Sequence, residues 1–303
     1  MKIKLVFLTF IITIITVLSG CEPLAVLDPK GPQAQTTANV IWISIITMAI
    51  VVLVVFALYT YYVVKASRRP EHYEPPHVKD NPVVESIIVG IPIIIIIFLT
   101  VVTVKSLYEV EATPKGYKNE EPLIIYASSS NWKWHFSYPE EEIETVNYLF
   151  IPTDRPIEFK LYSYGPISSF WIPQLGGQKY AMAHAVNTLH LAADAEGEYV
   201  GRNANFTGEG FAEQTFNVKA MAPDEYDKWV KEIKATAKPL TKERFKALLE
   251  PGHLGQLTFT GTHLGFAPPP GAHHTGGDSN DEQHSKDSHN KDSSDTDRGN
   301  GDH

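Results

Sequence analysis

Hydrophobic positions fall into two regimes along the chain. Up to about residue 105 they form three long, nearly unbroken runs, and beyond residue 122 they form short bursts separated by turn-forming residues. The first run, Leu5 to Val17, follows Lys2 and Lys4 and has the length of a signal-peptide apolar core. Val40 to Val64 carries no charge, and Val83 to Val104 carries only Glu85. Each of these two is long enough to cross a hydrocarbon core of about 30 Å as a helix. Trp42 lies near one end of the first span and Tyr59, Tyr61 and Tyr62 near the other, where amphipathic rings prefer the interface. The connecting loop holds Lys65, Arg68, Arg69 and Lys79, and positive charge marks the cytoplasmic side. The first helix therefore runs inward, the second outward, and everything after Lys105 is extracytoplasmic. Pro92 removes a backbone donor inside the second span and predicts a kink.

After Pro122 the bursts read as strands: Leu123–Tyr126, Tyr148–Ile151, Ile157–Tyr162, Ser169–Ile172, Thr188–Ala192, Tyr199–Phe206 and Gln214–Ala220. Trp132, Trp134 and Phe136 alternate with Lys133, His135 and Ser137, which predicts one aromatic face. Turn signals stand between them, among them Gly165-Pro166, Gly176-Gly177 and Glu196-Gly197. Pro223-Asp224-Glu225 opens a helix, Thr241 caps a second that stops at Pro251-Gly252, and Leu257–Thr260 reads as a last strand. Many short strands at roughly even spacing predict a sandwich or barrel. Past Pro268-Pro269-Pro270 there are too few apolar residues to offset the entropy of ordering, so a disordered tail is expected.

Composition narrows the chemistry. The formal charge of −9 argues against nucleic acid as a partner. The single cysteine, Cys21, excludes an intramolecular disulfide and a CxxC metal site. It stands directly after Leu18-Ser19-Gly20, and this stretch resembles the lipobox of bacterial lipoproteins. That resemblance implies diacylglyceryl modification of Cys21, which becomes the first mature residue on the outer face. His135, His184, His190, His253 and His263 have no ligand spacing and read as surface or core histidines. The tail histidines His273, His274, His284, His289 and His303 read as a solvated polar tract, with weak metal chelation as the alternative. Glu85 is either a snorkelling surface group or part of an ion path.

Four stretches carry a wider resemblance: Asn131-Trp132-Lys133-Trp134, the run from Ser169 to Gly176, the run from Gly177 to Ala183, and the run from Gly201 to Glu209. With the lipobox and helical hairpin ahead of them, they resemble subunit II of haem-copper quinol oxidases, from Cys21 to about Phe266. The resemblance implies a membrane-anchored all-β chain: a two-helix transmembrane hairpin, then a cupredoxin-like β-sandwich with two short C-terminal helices. The expected organisation is a signal peptide (1–20), an extracytoplasmic N-terminal segment (21–39) and a first transmembrane helix (40–64). A cytoplasmic loop (65–82) and a second transmembrane helix (83–104) follow. An extracytoplasmic domain with a helical extension (105–267) and the tail (268–303) complete it.

Relatives that accept electrons from cytochrome c hold a dinuclear copper centre bridged by two cysteine thiolates. Here Ser168, Ala204, Gly208, Ala212 and Thr215 stand at the ligand positions, and two bridging thiolates cannot be made from one cysteine. The resemblance thus implies no catalytic residue, no cofactor and no metal in this chain. Haems and one copper are expected in a partner subunit I, together with small membrane subunits and membrane lipid. Quinol, menaquinol by the Gram-positive look of these stretches, would be oxidised through the complex, with oxygen reduced to water, protons pumped and no cytochrome c involved. Trp132 and Trp134 are then sandwich-core or subunit-contact residues. Glu85 matches a glutamate near a proton-channel mouth, although Ile88 and Val89 replace the Trp-Thr that often follows it. The reading from another class is a lipid-anchored metal- or solute-binding lipoprotein. It accounts for Cys21 and the tail but leaves the helical hairpin unexplained.

Overall fold

The computed structural model describes residues 24–70, 73, 81–117, 120–153 and 155–271. Cys21, Lys79 and the tail histidines lie outside these residues.

Helix α1 spans Pro32–Ser67 and α2 spans Pro82–Glu111. Proline at the first helical position suits both starts, and the Asn81 side chain caps α2 by accepting from the amides of Val83 and Val84. At 1.5 Å per residue, α1 is about 54 Å long, well beyond the apolar run that the sequence marks. Its surplus is the polar start, where Gln33, Ala34 and Ala38 are buried against the globular domain. The half-buried positions along the hairpin include Val40, Ser44, Thr47 and Val51 on α1 and Ile95, Leu99, Val102 and Ser106 on α2. Steps of three and four are those of two helices packed along one stripe.

The globular part is a sandwich of two sheets. Strands β1 (Leu123–Ser130), β2 (Lys133–Tyr138), β3 (Ile143–Val146), β5 (Ile157–Ser163) and β8 (Asn187–Leu191) make up one sheet with β11 (Lys238–Pro239) and β12 (Leu257–Thr260), in the order β11-β12-β3-β2-β1-β5-β8. The other sheet has the order β4-β10-β9-β6-β7, from β4 (Tyr148–Pro152), β6 (Ser168–Trp171), β7 (Lys179–Ala181), β9 (Gly197–Asn203) and β10 (Thr215–Met221). Pairing is mostly antiparallel, but β1 runs parallel to β5 and β4 to β10. Helices α3 (Pro223–Thr236) and α4 (Lys242–Leu249) follow the sandwich, α4 capped by the Thr241 hydroxyl at the amide of Arg244. The hairpin, the cupredoxin-like sandwich and the two late helices agree with the sequence reading.

Inward alternation builds the core. Trp134, Phe136, Phe159, Phe170 and Phe216 interlock between the sheets, with Phe170 and Phe216 stacked at 5.2 Å and Trp134 edge-on to Phe170 at 5.2 Å. Gly201 lets Phe216 lie flat on β9, because a Cβ there would sit 2.0 Å from the ring. One expectation is corrected here. Trp132 does not share the face of Trp134 and Phe136. It sits in the β1–β2 turn with φ of 64°, so the alternation starts only at Lys133.

The sandwich is fixed to its helices. The amide of Lys30 donates to Gln174 O (2.7 Å), that of Ala34 to Leu175 O (3.2 Å), and that of Asp194 to Lys30 O (2.8 Å). Gly31 fits against the Ala192 carbonyl, where a Cβ would come within 2.1 Å. At the end of α2, Glu111 pairs with Lys179 at 2.5 Å.

Candidate functional site

The residues at the expected copper-ligand positions converge on one end of the sandwich, around the loop joining β9 to β10. Ser168 is fully buried, Ala204, Ala212 and Thr215 are exposed, and Gly208 is half-buried with φ of 99°. A web of neutral amides and hydroxyls fills this end. Asn203 Nδ2 donates to Gln214 Oε1 (2.8 Å) and Thr207 Oγ1 (3.2 Å), and the Thr207 hydroxyl donates to Gln214 Oε1 (3.0 Å). Gln214 Nε2 reaches Ser168 Oγ at 3.4 Å, and Asn203 Oδ1 accepts from the amides of Ser169 (2.8 Å) and Asn205 (2.9 Å). Asn203 and Gln214 are buried, and their side-chain amides are satisfied by each other, by the hydroxyls of Thr207 and Ser168, and by the backbone amides of Ser169 and Asn205.

The indole of Trp132 lies across this loop. Its Nε1 donates to Thr207 O at 3.0 Å, and its ring lies so close to Gly210 that a Cβ there would be 2.4 Å away. Left-handed backbone at a bulky aromatic residue costs of order 1–3 kcal/mol, so the surrounding contacts hold the turn in place. The donors gathered here are hydroxyls, carboxamides and backbone. They lack the soft thiolates and imidazoles that a dinuclear copper centre requires, and they do not fit such a centre.

A second polar cluster lies on the outer face of the larger sheet, beneath α4 and the turn at His263–Gly265. His263 Nδ1 lies 2.7 Å from Glu144 Oε1, and its Nε2 lies 2.6 Å from the Tyr162 hydroxyl. The Ser137 hydroxyl donates to Glu144 Oε2 at 2.5 Å. Phe245 stacks on the His263 ring at 4.3 Å and 9°. All four polar side chains are fully buried. Burial pushes the Tyr162 hydroxyl far above its usual range, so it remains a neutral donor.

His135 lies beside this cluster, its Nε2 2.8 Å from Ser130 Oγ, while its Nδ1 has no partner among the described residues. Burial, with the nearby His263 and Lys133 adding to it, pulls His135 down to about 3. Lys133 is lowered by burial against the opposing pull of Glu250, and its ammonium donates to the carbonyls of Asn131, Glu250 and Gly252 at 2.7–3.0 Å. The His263–Glu144 contact spans 119 residues of sequence. Nothing local in the chain announces it. His184 and His253 are exposed and His190 is half-buried. Among the described residues no three His, Cys, Asp or Glu side chains converge as a metal-holding group.

Glu85 lies far from both clusters, exposed in the first turn of α2. A carboxylate is favoured there by the amide end of the helix.

No family model matches the chain. It is 45% identical over 261 residues to a quinol oxidase subunit 2 of Bacillus anthracis, covering 85% of this chain and 90% of that one. It is 47% identical over 259 residues to the quinol oxidase subunit 2 of Bacillus subtilis, covering 84% and 81%. A probable quinol oxidase subunit 2 of Staphylococcus saprophyticus is 46% identical over 253 residues, 83% of this chain and 67% of that one. Among solved structures, the periplasmic domain of subunit II of a Bradyrhizobium japonicum cytochrome oxidase aligns with 37% of this chain and 94% of its own, at 20% identity and a TM-score of 0.36. A chain of a heme-copper terminal oxidase dimer aligns with 59% of this chain and 99% of its own, at 13% identity and a TM-score of 0.28. With more than two-fifths of its residues shared over most of the length of such relatives, the chain belongs to the quinol oxidase subunit 2 family.

Proposed function

We propose that this chain is the cofactor-free second subunit of a respiratory oxidase that takes electrons from quinol, menaquinol in particular, reduces oxygen to water and pumps protons. The observation that carries this reading is the end of the sandwich at Ser168, Asn203, Thr207 and Gln214. The residues that could have received an electron from a soluble donor are there replaced by a closed web of neutral side chains. Electrons then enter through a partner, subunit I, which holds the haems and the copper. This chain contributes scaffold, and cytochrome c has no port on it. Cys21 carries the lipid, and the sandwich stands outside the membrane beside subunit I and the small membrane subunits.

The test is to solubilise the membranes mildly, recover the complex through a tag on this chain, and measure oxygen uptake with a quinol and with reduced cytochrome c. Uptake with quinol alone is expected. Uptake driven only by cytochrome c would overturn the assignment. Glu85 is proposed to help deliver protons from the inner side, supported by its exposed carboxylate at the cytoplasmic start of α2. Glu85→Gln should then lower turnover and the protons moved per electron, and unchanged values in both would remove the role.

A further inference from the structure

The buried array of Tyr162, His263 and Glu144 takes no part in the function proposed above, and its contacts fix where its protons sit. Glu144 Oε2 accepts from the Ser137 hydroxyl at 2.5 Å and from the His263 amide at 3.4 Å. Glu144 Oε1 lies 2.7 Å from His263 Nδ1, and Ser137 Oγ lies 3.0 Å from the same nitrogen. The Ser137 proton is already given to Glu144, and a carboxylate only accepts, so the imidazole proton belongs on Nδ1. Nε2 is then the acceptor of the ring, and the Tyr162 hydroxyl donates to it at 2.6 Å.

This arrangement supports a chemistry that other buried tyrosines of the domain lack. A phenol that loses an electron becomes a strong acid, so it is oxidised readily only where its proton can leave at the same time. Tyr138 and Tyr164 donate to backbone carbonyls, of Phe150 and Ala267, which take up no proton. Tyr162 donates to a base within proton-transfer distance. Glu144 stands behind that base, where a carboxylate stabilises the imidazolium that forms.

The array is also shielded and yet connected. Tyr162, His263 and Glu144 are fully buried, with Phe245 stacked on the imidazole at 4.3 Å. A radical there is kept from water and from a second radical. Tyr126 lies edge-on to Tyr162 at 6.5 Å and Tyr164 at 5.5 Å, and both are half-buried. An oxidant that reaches either outer ring can draw an electron from Tyr162 through ring contact. The radical then rests where the proton has a base to go to.

We infer that Tyr162 is a redox-active tyrosine, which gives its electron to a one-electron oxidant of the radical class formed by partial reduction of oxygen and its proton to His263 Nε2. The O–H bond of Tyr162 breaks and an N–H bond forms at His263. The products are a neutral tyrosyl radical, an imidazolium held by Glu144, and an oxidant reduced by one electron. A one-electron reductant such as a thiol restores the phenol, the proton returning along the same hydrogen bond. The source of the oxidant, an oxygen-reducing complex, rests on the quinol oxidase reading, whereas the redox activity of the array does not.

The test oxidises the full chain in detergent with flash-generated tris(bipyridine)ruthenium(III), using chloropentaamminecobalt(III) as the sacrificial electron acceptor, and freezes it for electron paramagnetic resonance. A neutral tyrosyl signal is expected that outlives any in Tyr162→Phe at least tenfold. Electron–nuclear double resonance of that signal should show an exchangeable proton donated to the phenoxyl oxygen, lost in deuterium oxide. Tyr162→3-fluorotyrosine keeps the ring and hydroxyl, so it should fold as the parent does and add a fluorine splitting to the long-lived signal. Equal lifetimes in parent and Tyr162→Phe, no fluorine splitting, no exchangeable proton, or no long-lived tyrosyl signal would each overturn the inference. A purely structural Tyr162 would give those results. Loss of quinol-driven oxygen uptake by the recovered complex would overturn the subunit reading alone, because the radical signals are read on this chain by itself.

Discussion

Acidification should loosen this domain through one residue, His135. Its imidazole is fully buried between Ser130 and Phe245, with Lys133 on the same strand and His263 opposite. A proton there would place a cation among groups that offer it no carboxylate, and the folded chain holds His135 neutral down to about pH 3. In the unfolded chain the ring titrates near 6.5. Between these values the unfolded state binds a proton that the folded state refuses, so the stabilisation is fully present above pH 6.5 and drains away as pH falls toward 3. The whole interval is worth about 5 kcal/mol, and the part lost by pH 5 is about 2 kcal/mol. The assay is thermal unfolding of the full chain in detergent from pH 7.5 to 5, followed by near-ultraviolet circular dichroism of the aromatic core around Trp134. His135→Gln keeps an amide near Ser130 Oγ and removes the titration. Its curve is expected to start lower and fall less steeply, closing on the parent by about 2 kcal/mol at pH 5. Parallel acid slopes in parent and variant would refute the argument.

Three further outcomes follow from close contacts. Gly31→Ala drives a methyl into the Ala192 carbonyl, which is backbone and cannot rotate away, so a loss of about 1–3 kcal/mol and faster proteolysis around residue 30 are expected. Gln214→Leu strips the shared acceptor from Asn203 and Thr207 and should cost about 2–3 kcal/mol in denaturant unfolding, with faster amide exchange across residues 204–213. Glu144→Leu leaves Ser137 and His263 without their buried acceptor and should cost about 3–5 kcal/mol, while Glu144→Gln, which keeps an acceptor oxygen, should cost clearly less in the same titration.

Legibility in the sequence follows the physics of each element. The membrane hairpin was legible because length and apolarity alone specify it, but α1 starts eight residues earlier than its apolar run. Gln33, Thr36 and Thr37 are polar, and their helix is stabilised by docking on the sandwich. Strands whose inward positions are large and apolar, such as β1, β5 and β10, stand out by alternation. β3 does not, because Glu144 and Thr145 are polar and yet fully buried, a pattern that makes sense only once His263 and Ser137 are beside them. Trp132 misled by position. Alternation assumes extended backbone, and the turn at φ of 64° breaks it one residue before the strand starts. The five ligand-position residues could be aligned from sequence, whereas the web of Asn203, Thr207 and Gln214 that holds their loop could not, since no spacing rule describes a set of mutually bonded amides.

The two polar clusters show why such a web suffices here. A loop that binds a metal can draw part of its stability from bonds to the ion. The β9–β10 loop has its buried amides paired within the protein and an indole laid across its glycines, so its geometry needs no ligand. On the other face, the buried Glu144–His263 contact fixes the extension to one register of the sheet, because any slip would strand a carboxylate or an imidazole away from water. Hydrophobic area alone would accept several registers of Phe245 and Leu248. The polar pairs select one.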